Sequence, residues 1–171
     1  MCDCGFSYFR KMLFIFSSPP FYTEYVHLPT IHDPVPSPIL NNPKFWPFFK
    51  DALAAIDGSH IHCAPLALER AFYRNRKGSV SQNCLFACSF DLQFVYAFTG
   101  WEGSATDARV YDDAQSKDLH IPDGKYYLAD AGFPMSQQLL IPYRGTRYHL
   151  KEWGRAGTRY DMMYFWYYLF I

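Results

Sequence analysis

Ile56-Asp57-Gly58-Ser59-His60 and Tyr127-Leu128-Ala129-Asp130-Ala131-Gly132 are the two stretches that decide the fold of this chain. Each one predicts a buried strand that ends in an aspartate, with a glycine close behind it. The two aspartates lie 73 residues apart in the sequence. If the two strands are neighbours, their carboxylates lie side by side at one edge of a sheet, where a divalent metal ion could bind.

Between the two aspartates, the sequence predicts a β-hairpin. Residues 81–90 and 93–99 are rich in aromatic and β-favouring side chains, and Asp91-Leu92 separates them. A further apolar segment, residues 139–143, is a candidate fifth strand. The aromatic runs therefore extend the sheet beyond the two aspartate strands.

A helix is predicted between the hairpin and the Asp130 strand. Ser104-Ala105-Thr106-Asp107 matches the Ser-x-x-acid capping pattern, and the helix is expected at residues 105–115. A helical crossover with the usual right-handed path would place the Asp130 strand parallel to the Asp57 strand. The sequence thus predicts a mixed α/β sheet with a hairpin and a crossover helix.

Composition indicates one folded domain without a global positive field. A chain of 171 residues has the usual size of one domain, and its aromatic content of 20% is too high for a disordered segment. Sixteen basic and sixteen acidic residues cancel, unlike the charge of a dedicated DNA-binding module. Acidic residues concentrate between positions 102 and 130, and basic residues flank them. This pattern suits a metal site with phosphate-binding rims, but on composition alone such charge runs are more often solvated faces.

The cysteines and the chain ends limit where the protein is expected to act. Five cysteines without a regular framework indicate a reducing compartment rather than a secreted disulfide scaffold. The apolar run at residues 12–16 is shorter than the ~7 residues of a signal-peptide core. The apolar run at residues 162–171 is about half of the ~20 residues that span a bilayer. We therefore expect neither secretion nor a membrane anchor.

Proline content and composition divide the chain into three parts. Six prolines between residues 29 and 47 exclude a long helix or a central strand there and predict an extended segment. We expect an irregular lead-in at residues 1–40, a folded domain at residues 41–155 and an atypical hydrophobic tail at residues 156–171.

Six sequence blocks, in order, resemble the PIF/Harbinger transposases and the nucleases derived from them. Together they cover residues 41–153, and six blocks in the family order are far more specific than any one alone. The blocks are Asn42-Pro43-Lys44-Phe45-Trp46-Pro47-Phe48-Phe49-Lys50, Ile56-Asp57-Gly58-Ser59-His60-Ile61, Asn75-Arg76-Lys77-Gly78-Ser79-Val80-Ser81-Gln82-Asn83, Gly100-Trp101-Glu102-Gly103-Ser104-Ala105-Thr106-Asp107-Ala108-Arg109-Val110, Tyr126-Tyr127-Leu128-Ala129-Asp130-Ala131-Gly132-Phe133 and Pro142-Tyr143-Arg144-Gly145-Thr146-Arg147-Tyr148-His149-Leu150.

The resemblance implies a ribonuclease-H-like fold and a metal-dependent DNA endonuclease of the DDE superfamily. Asp57 and Asp130 match the family's two catalytic aspartates, which bind divalent Mg²⁺ or Mn²⁺. The family's later glutamate has no match, and Glu152 follows Asp130 too closely to take its role. Phosphodiester hydrolysis or strand transfer is therefore expected to be weakened. The alternatives are a non-catalytic interaction protein and the remnant of a decayed transposon.

The resemblance also implies partners and a location. Family members act on DNA, some work with a separate Myb-like DNA-binding protein, and they are found in the nucleus. The sequence predicts no oligomeric state.

Several further side chains are candidates around the two aspartates. Asp107 is either an auxiliary acid or an ordinary helix-capping residue. His60 and His62 alternate along the first strand, where they could contact DNA or the metal site or simply be hydrogen-bonded. The basic cluster could grip phosphates or be a solvated loop; its candidate phosphate ligands are Arg74, Arg76 and Lys77.

Overall fold

The computed structural model describes residues 4–143, and a five-stranded mixed sheet forms its centre. The strands are β1 (Ala52–His62), β2 (Ser81–Cys88), β3 (Phe94–Glu102), β4 (Tyr126–Leu128) and β5 (Leu139–Leu140). Their order across the sheet is β3-β2-β1-β4-β5. The pairs β1/β2 and β2/β3 are antiparallel, whereas β1/β4 and β4/β5 are parallel.

The sheet confirms the predicted α/β fold class. The β2–β3 hairpin forms where the aromatic runs predicted it, and its turn contains Leu92 with a positive φ of 62°. The Asp130 strand lies parallel to the Asp57 strand, with Ala55 paired to Leu128. The arrangement is consistent with the ribonuclease-H-like fold that the resemblance implied.

The strand that carries Asp57 is longer than predicted. The sequence pattern places its end at the aspartate, but β1 continues to His62. The continuation is held by the antiparallel ladder with β2, in which Asp57 pairs with Phe86 and His62 pairs with Ser81. The expectation that Asp57 ends its strand is therefore wrong. The pairing of β1 with β4, by contrast, does end near Asp57, because Ala55 is the last residue of β1 that pairs with β4.

Four helices accompany the sheet in the described part of the chain: α1 (Cys4–Phe16), α2 (Phe21–Tyr25), α3 (Ser37–Leu40) and α4 (Asp107–Lys117). The crossover helix α4 starts two residues later than predicted. Its N-cap is Thr106, whose hydroxyl accepts from the backbone N–H of Arg109 at 3.4 Å. The predicted start at Ala105 fails because Thr106 has an extended backbone, with φ −82° and ψ 152°, so the helix begins only at Asp107.

Apolar side chains pack on both faces of the sheet. On one face, Val110, Tyr111 and Ala114 of α4 join a cluster that includes Ile56 and Leu85. The other face carries a second cluster of Ile39, Phe49, Ala52, Ala55, Phe90 and Leu128. Because side chains alternate along a strand, Ile56 and Ala55 belong to opposite faces. This alternation decides which face the residues beyond them occupy.

The proline-rich segment is less extended than predicted. It contains α3 and a series of turns, and Ile39 from this segment is fully buried beside Phe49. The boundaries at residues 40 and 155 remain predictions, and the hydrophobic tail lies outside the described residues. Within residues 4–143, every helix is too short or too polar to cross a bilayer.

Candidate functional site

The candidate site begins with Asp57 and Asp130, which the sheet brings to one place. Ala55 and Leu128 form the last pair of the parallel β1/β4 ladder, and each aspartate lies two residues beyond its member of that pair. Side chains two positions apart on extended backbone share a face. Asp57 thus follows the face of Ala55, opposite to α4, and Asp130 lies just beyond the end of β4. Their proximity is also visible in the electrostatics, since the Asp130 charge acts on Asp57.

Asp57 is a partly buried carboxylate in a negative environment. Burial, followed by the nearby charges of Asp130 and Asp107, raises its pKa from the ordinary 3.8 to about 6. A hydrogen bond from the Gly58 N–H to Asp57 Oδ1, 2.8 Å long, opposes these effects. Burial and repulsion between like charges both favour the neutral acid. A bound cation would relieve the repulsion.

Asp130 is exposed and is oriented by the turn that follows β4. The Gly132 N–H donates to Asp130 Oδ1 at 2.8 Å. A Cβ at position 132 would lie 3.0 Å from that same oxygen. Glycine therefore leaves room for the aspartate to fold back onto the chain. The glycines that follow both aspartates thus have the same function, since each donates its N–H to one carboxylate oxygen.

Asp107 occupies the opposite face of β1, at the first position of α4. Its Oδ1 accepts a hydrogen bond of 2.8 Å from Nδ2 of the buried Asn83, which also donates to the carbonyl of Ala105 at 3.1 Å. The carboxylate lies directly over Gly58, in the space that a side chain at position 58 would occupy. Asp107 is the first helical residue and Thr106 is the N-cap, so the helix begins two positions later than the Ser104-x-x-Asp107 pattern predicts. The roles of Asn83 and Gly58 were not predicted; the only signal was a polar residue within the aromatic hairpin.

Two carboxylates fit a hard divalent cation, and a third ligand is not seen beside them. Mg²⁺ is commonly held by one or two carboxylates together with water and phosphate oxygens. Among residues 4–143, no group of three Asp, Glu, His or Cys side chains is arranged to hold a metal ion. Asp107 does not complete the set. Glu152 lies outside the described residues.

The histidines and part of the basic cluster meet in a separate polar cleft of about 420 Å³. His60, His62, Arg76 and Lys77 all line it. Arg74 does not; its guanidinium donates to the carbonyl of Gly78 at 2.8 Å. The structure therefore divides the predicted phosphate ligands into two that reach the cleft and one that supports the loop.

Comparison with known proteins agrees with this geometry at the level of the family. A family model described as DDE superfamily endonuclease matches residues 56–160, more than half of the 171 residues. The match begins in β1, one residue before Asp57, and includes Asp130. Neither a curated protein nor a solved structure matches the chain.

Proposed function

The chain belongs to the DDE superfamily endonucleases, and we propose that Asp57 and Asp130 are the acids with which it binds Mg²⁺ or Mn²⁺ and acts on phosphodiester bonds in DNA. One observation carries the proposal. Each aspartate lies two residues beyond the last pair of the β1/β4 ladder, and their charges interact. Oxygen ligands of this kind match hard divalent cations.

The backbone around the two acids prepares them as ligands. Gly58 and Gly132 each hold one carboxylate oxygen, Oδ1, through a backbone N–H. The second oxygen of each aspartate takes no part in these hydrogen bonds. A divalent ion held by such oxygens would lower the pKa of a bound water and neutralise charge that develops on a phosphate. The fixed carboxylates would supply two of its ligands without rearranging.

We further propose that catalysis by this chain is weak. The family that it resembles uses a third acid, a glutamate, and the sequence offers no match to it, since Glu152 follows Asp130 too closely. Positioning metal ions around an in-line displacement depends on every ligand, so hydrolysis and strand transfer both suffer when one is missing.

The finer identity follows the sequence resemblance. A Harbinger-type origin, a Myb-like DNA-binding partner and a nuclear location are proposals supported by the six sequence blocks. A nuclease domain at residues 41–155 is supported by the family match to residues 56–160.

A non-catalytic interaction protein or a decayed remnant is the second candidate. The lack of a sequence match to the family's glutamate favours it, because a metal site with two acids can persist after cleavage is lost. The two candidates differ in a measurable property, which is cleavage rather than binding.

Metal binding is tested by the unfolding temperature of the purified chain with and without Mn²⁺. At ten times its dissociation constant, Mn²⁺ should stabilise the fold by about 1.4 kcal/mol and raise the midpoint by a few degrees. Asp57→Asn and Asp130→Asn should each abolish the shift. Asp91→Asn, in the exposed β2–β3 turn, removes the same charge and should keep it. An equal shift in all four proteins would refute the proposed site.

Cleavage is tested with supercoiled plasmid in the presence of Mn²⁺. We expect little nicking by the purified chain. Strong nicking that disappears in Asp57→Asn would show that the two aspartates suffice and would remove the non-catalytic alternative. Strong nicking that persists in both aspartate variants would place the activity elsewhere.

A further inference from the structure

The polar cleft is built around a loop whose shape is set by one asparagine. It lies between the outer part of β1, the loop that precedes β2 and the N-terminal end of α4, and Ser79, Ser81, Thr106 and Gly132 are among its lining residues. Asn75 Oδ1 accepts from the N–H groups of Lys77 and Ser79, both at 3.0 Å. Gly78 adopts a positive φ of 81°. The turn is therefore formed before any ligand arrives.

This turn presents two cations without internal partners. Arg76 and Lys77 are exposed, and in the described part of the chain neither forms an ion pair. Arg74 stabilises the turn instead, through its bond to Gly78. Two unpaired cations on a fixed turn are suited to an anionic ligand, because little conformational entropy is lost when they engage it. The Asp107 carboxylate also lines the cleft, but Asn83 already donates to it.

A chain of hydrogen bonds connects the same turn to His60 on β1. Asn75 Nδ2 donates to the hydroxyl of the buried Ser81 at 3.0 Å. The Ser81 oxygen lies 3.2 Å from His60 Nδ1. Because the hydroxyl accepts from Asn75, its own hydrogen is available to donate to Nδ1. When the hydroxyl donates to Nδ1, the neutral ring carries its proton on Nε2, which is then a donor toward a ligand.

We propose that this cleft binds a phosphate group of the DNA backbone through Arg76, Lys77 and the Nε2–H of His60. The inference rests on the proposed function for the identity of the ligand as DNA. A guanidinium binds phosphate oxygens in a bidentate manner, and an ammonium adds a compact charge. Gly132, which holds Asp130, lines the same cleft. A strand whose phosphate is held there therefore lies beside the residue that orients Asp130.

Three residues act indirectly, by positioning the groups that bind the phosphate. Asn75 and Ser81 are positioning residues, since they orient the turn and the imidazole but are not themselves the phosphate ligands. Arg74 is a third, because it holds the carbonyl of Gly78. This separates the basic cluster by function: Arg76 and Lys77 contact DNA, and Arg74 supports the turn that presents them.

The test is DNA binding without metal, measured by fluorescence anisotropy of a short labelled duplex in EDTA over a range of salt concentrations. The double variant Arg76→Ala/Lys77→Ala should bind DNA about tenfold more weakly. The slope of log K against log [salt] should also become shallower by about two. Ser81→Ala and His60→Gln should weaken binding by smaller factors. The matched control, Lys50→Ala with Arg70→Ala, removes two exposed cations outside the cleft and should change binding little. Circular dichroism establishes that each variant is folded.

The outcomes separate this inference from the proposed metal site. Asp57→Asn and Asp130→Asn should bind DNA in EDTA at least as tightly as the unmodified chain. If they do and Mn²⁺ has no effect on stability, the metal site fails while the phosphate cleft stands. Unchanged affinity and salt dependence in the Arg76/Lys77 variant would refute phosphate binding in the cleft. An equal loss of affinity in the Lys50/Arg70 control would refute it as well, and both conclusions are independent of the result with Mn²⁺.

Discussion

The two halves of β1 differ in partners, in burial and in chemistry. Residues 52–56 are buried and pair with the short parallel strand β4. Residues 57–62 are partly or fully exposed and pair with β2 alone. The change occurs at Asp57, just beyond the last β4 partner. The inner half of β1, residues 52–56, therefore stabilises the sheet. The outer half, residues 57–62, continues past the end of β4 and presents polar groups.

The point where β4 stops is what makes the site possible. An aspartate within a fully paired and covered sheet would have to be buried without water, at a cost of several kcal/mol. At the end of the β1/β4 ladder, Asp57 stays partly accessible and Asp130 is exposed. The rigid inner half fixes the positions of both acids, and the open edge leaves space for a cation and a substrate.

The largest expected effect is on the free energy of unfolding, and it is seen by truncating two isoleucines, one from each half of β1. Ile56 is 0% exposed and Ile61 is 50% exposed. Ile56→Ala should lower the free energy of unfolding by about 2–5 kcal/mol, because it leaves a cavity beneath α4. Ile61→Ala should change it by less than about 0.5 kcal/mol. Urea unfolding measures both, and similar losses would show that the two halves do not differ as described.

An intermediate effect is expected at Gly58, next to the boundary. A methyl group at this position would overlap the Asp107 carboxylate and break its bond to Asn83. Gly58→Ala should destabilise the fold by about 1–3 kcal/mol, as overpacking does. In an Asp107→Ala background the same substitution should cost less, with a coupling of at least ~0.5 kcal/mol. An identical cost in both backgrounds would mean that the carboxylate does not occupy this space.

The smallest expected effect is a pH dependence of the folding stability that arises from ionisation of Asp57. Its folded-state pKa of about 6 lies above the ordinary value of 3.8, so the folded state binds this proton more tightly than the unfolded state. The resulting stabilisation is present below about pH 4 and is lost as the pH rises through 6. Asp57→Asn should therefore be more stable than the unmodified chain at pH 7 without metal, by roughly 1 kcal/mol after allowance for solvent screening.

The control for this prediction is again Asp91→Asn, which removes an exposed carboxylate. The stability gain of Asp57→Asn should disappear near pH 4, and the control should show no such change between the two conditions. A gain of equal size at both pH values would show that ionisation of Asp57 is not its cause.

Much of the fold could be predicted from the sequence because its determinants are local. The aromatic runs on either side of Asp91-Leu92 predict the hairpin, since strands and turns depend on neighbouring residues. The two apolar runs that lead to Asp57 and Asp130, with a helix between them, predict the parallel pairing of β1 and β4. These features need only side-chain period, turn chemistry and the handedness of a crossover.

Other features required contacts between residues far apart in the sequence. The length of β1 depends on β2, which supplies partners as far as His62. The position of Asp107 depends on Asn83 and on the space over Gly58. No periodicity within a single segment encodes such meetings, and polar residues in a strand or loop predict only that they are exposed or hydrogen-bonded.

The sequence alone therefore determined that this chain forms a mixed α/β sheet and that two aspartates follow its central apolar runs. Only the tertiary structure decided which residues share a site. It brought Asp57 and Asp130 to the end of the β1/β4 ladder, placed Asp107 on the face of β1 opposite to Asp57, and separated Arg74 from Arg76 and Lys77. The physical reason is that the apolar pattern of a strand is encoded in neighbouring residues of one segment. Hydrogen bonds and packing contacts depend instead on which distant segments fold against each other.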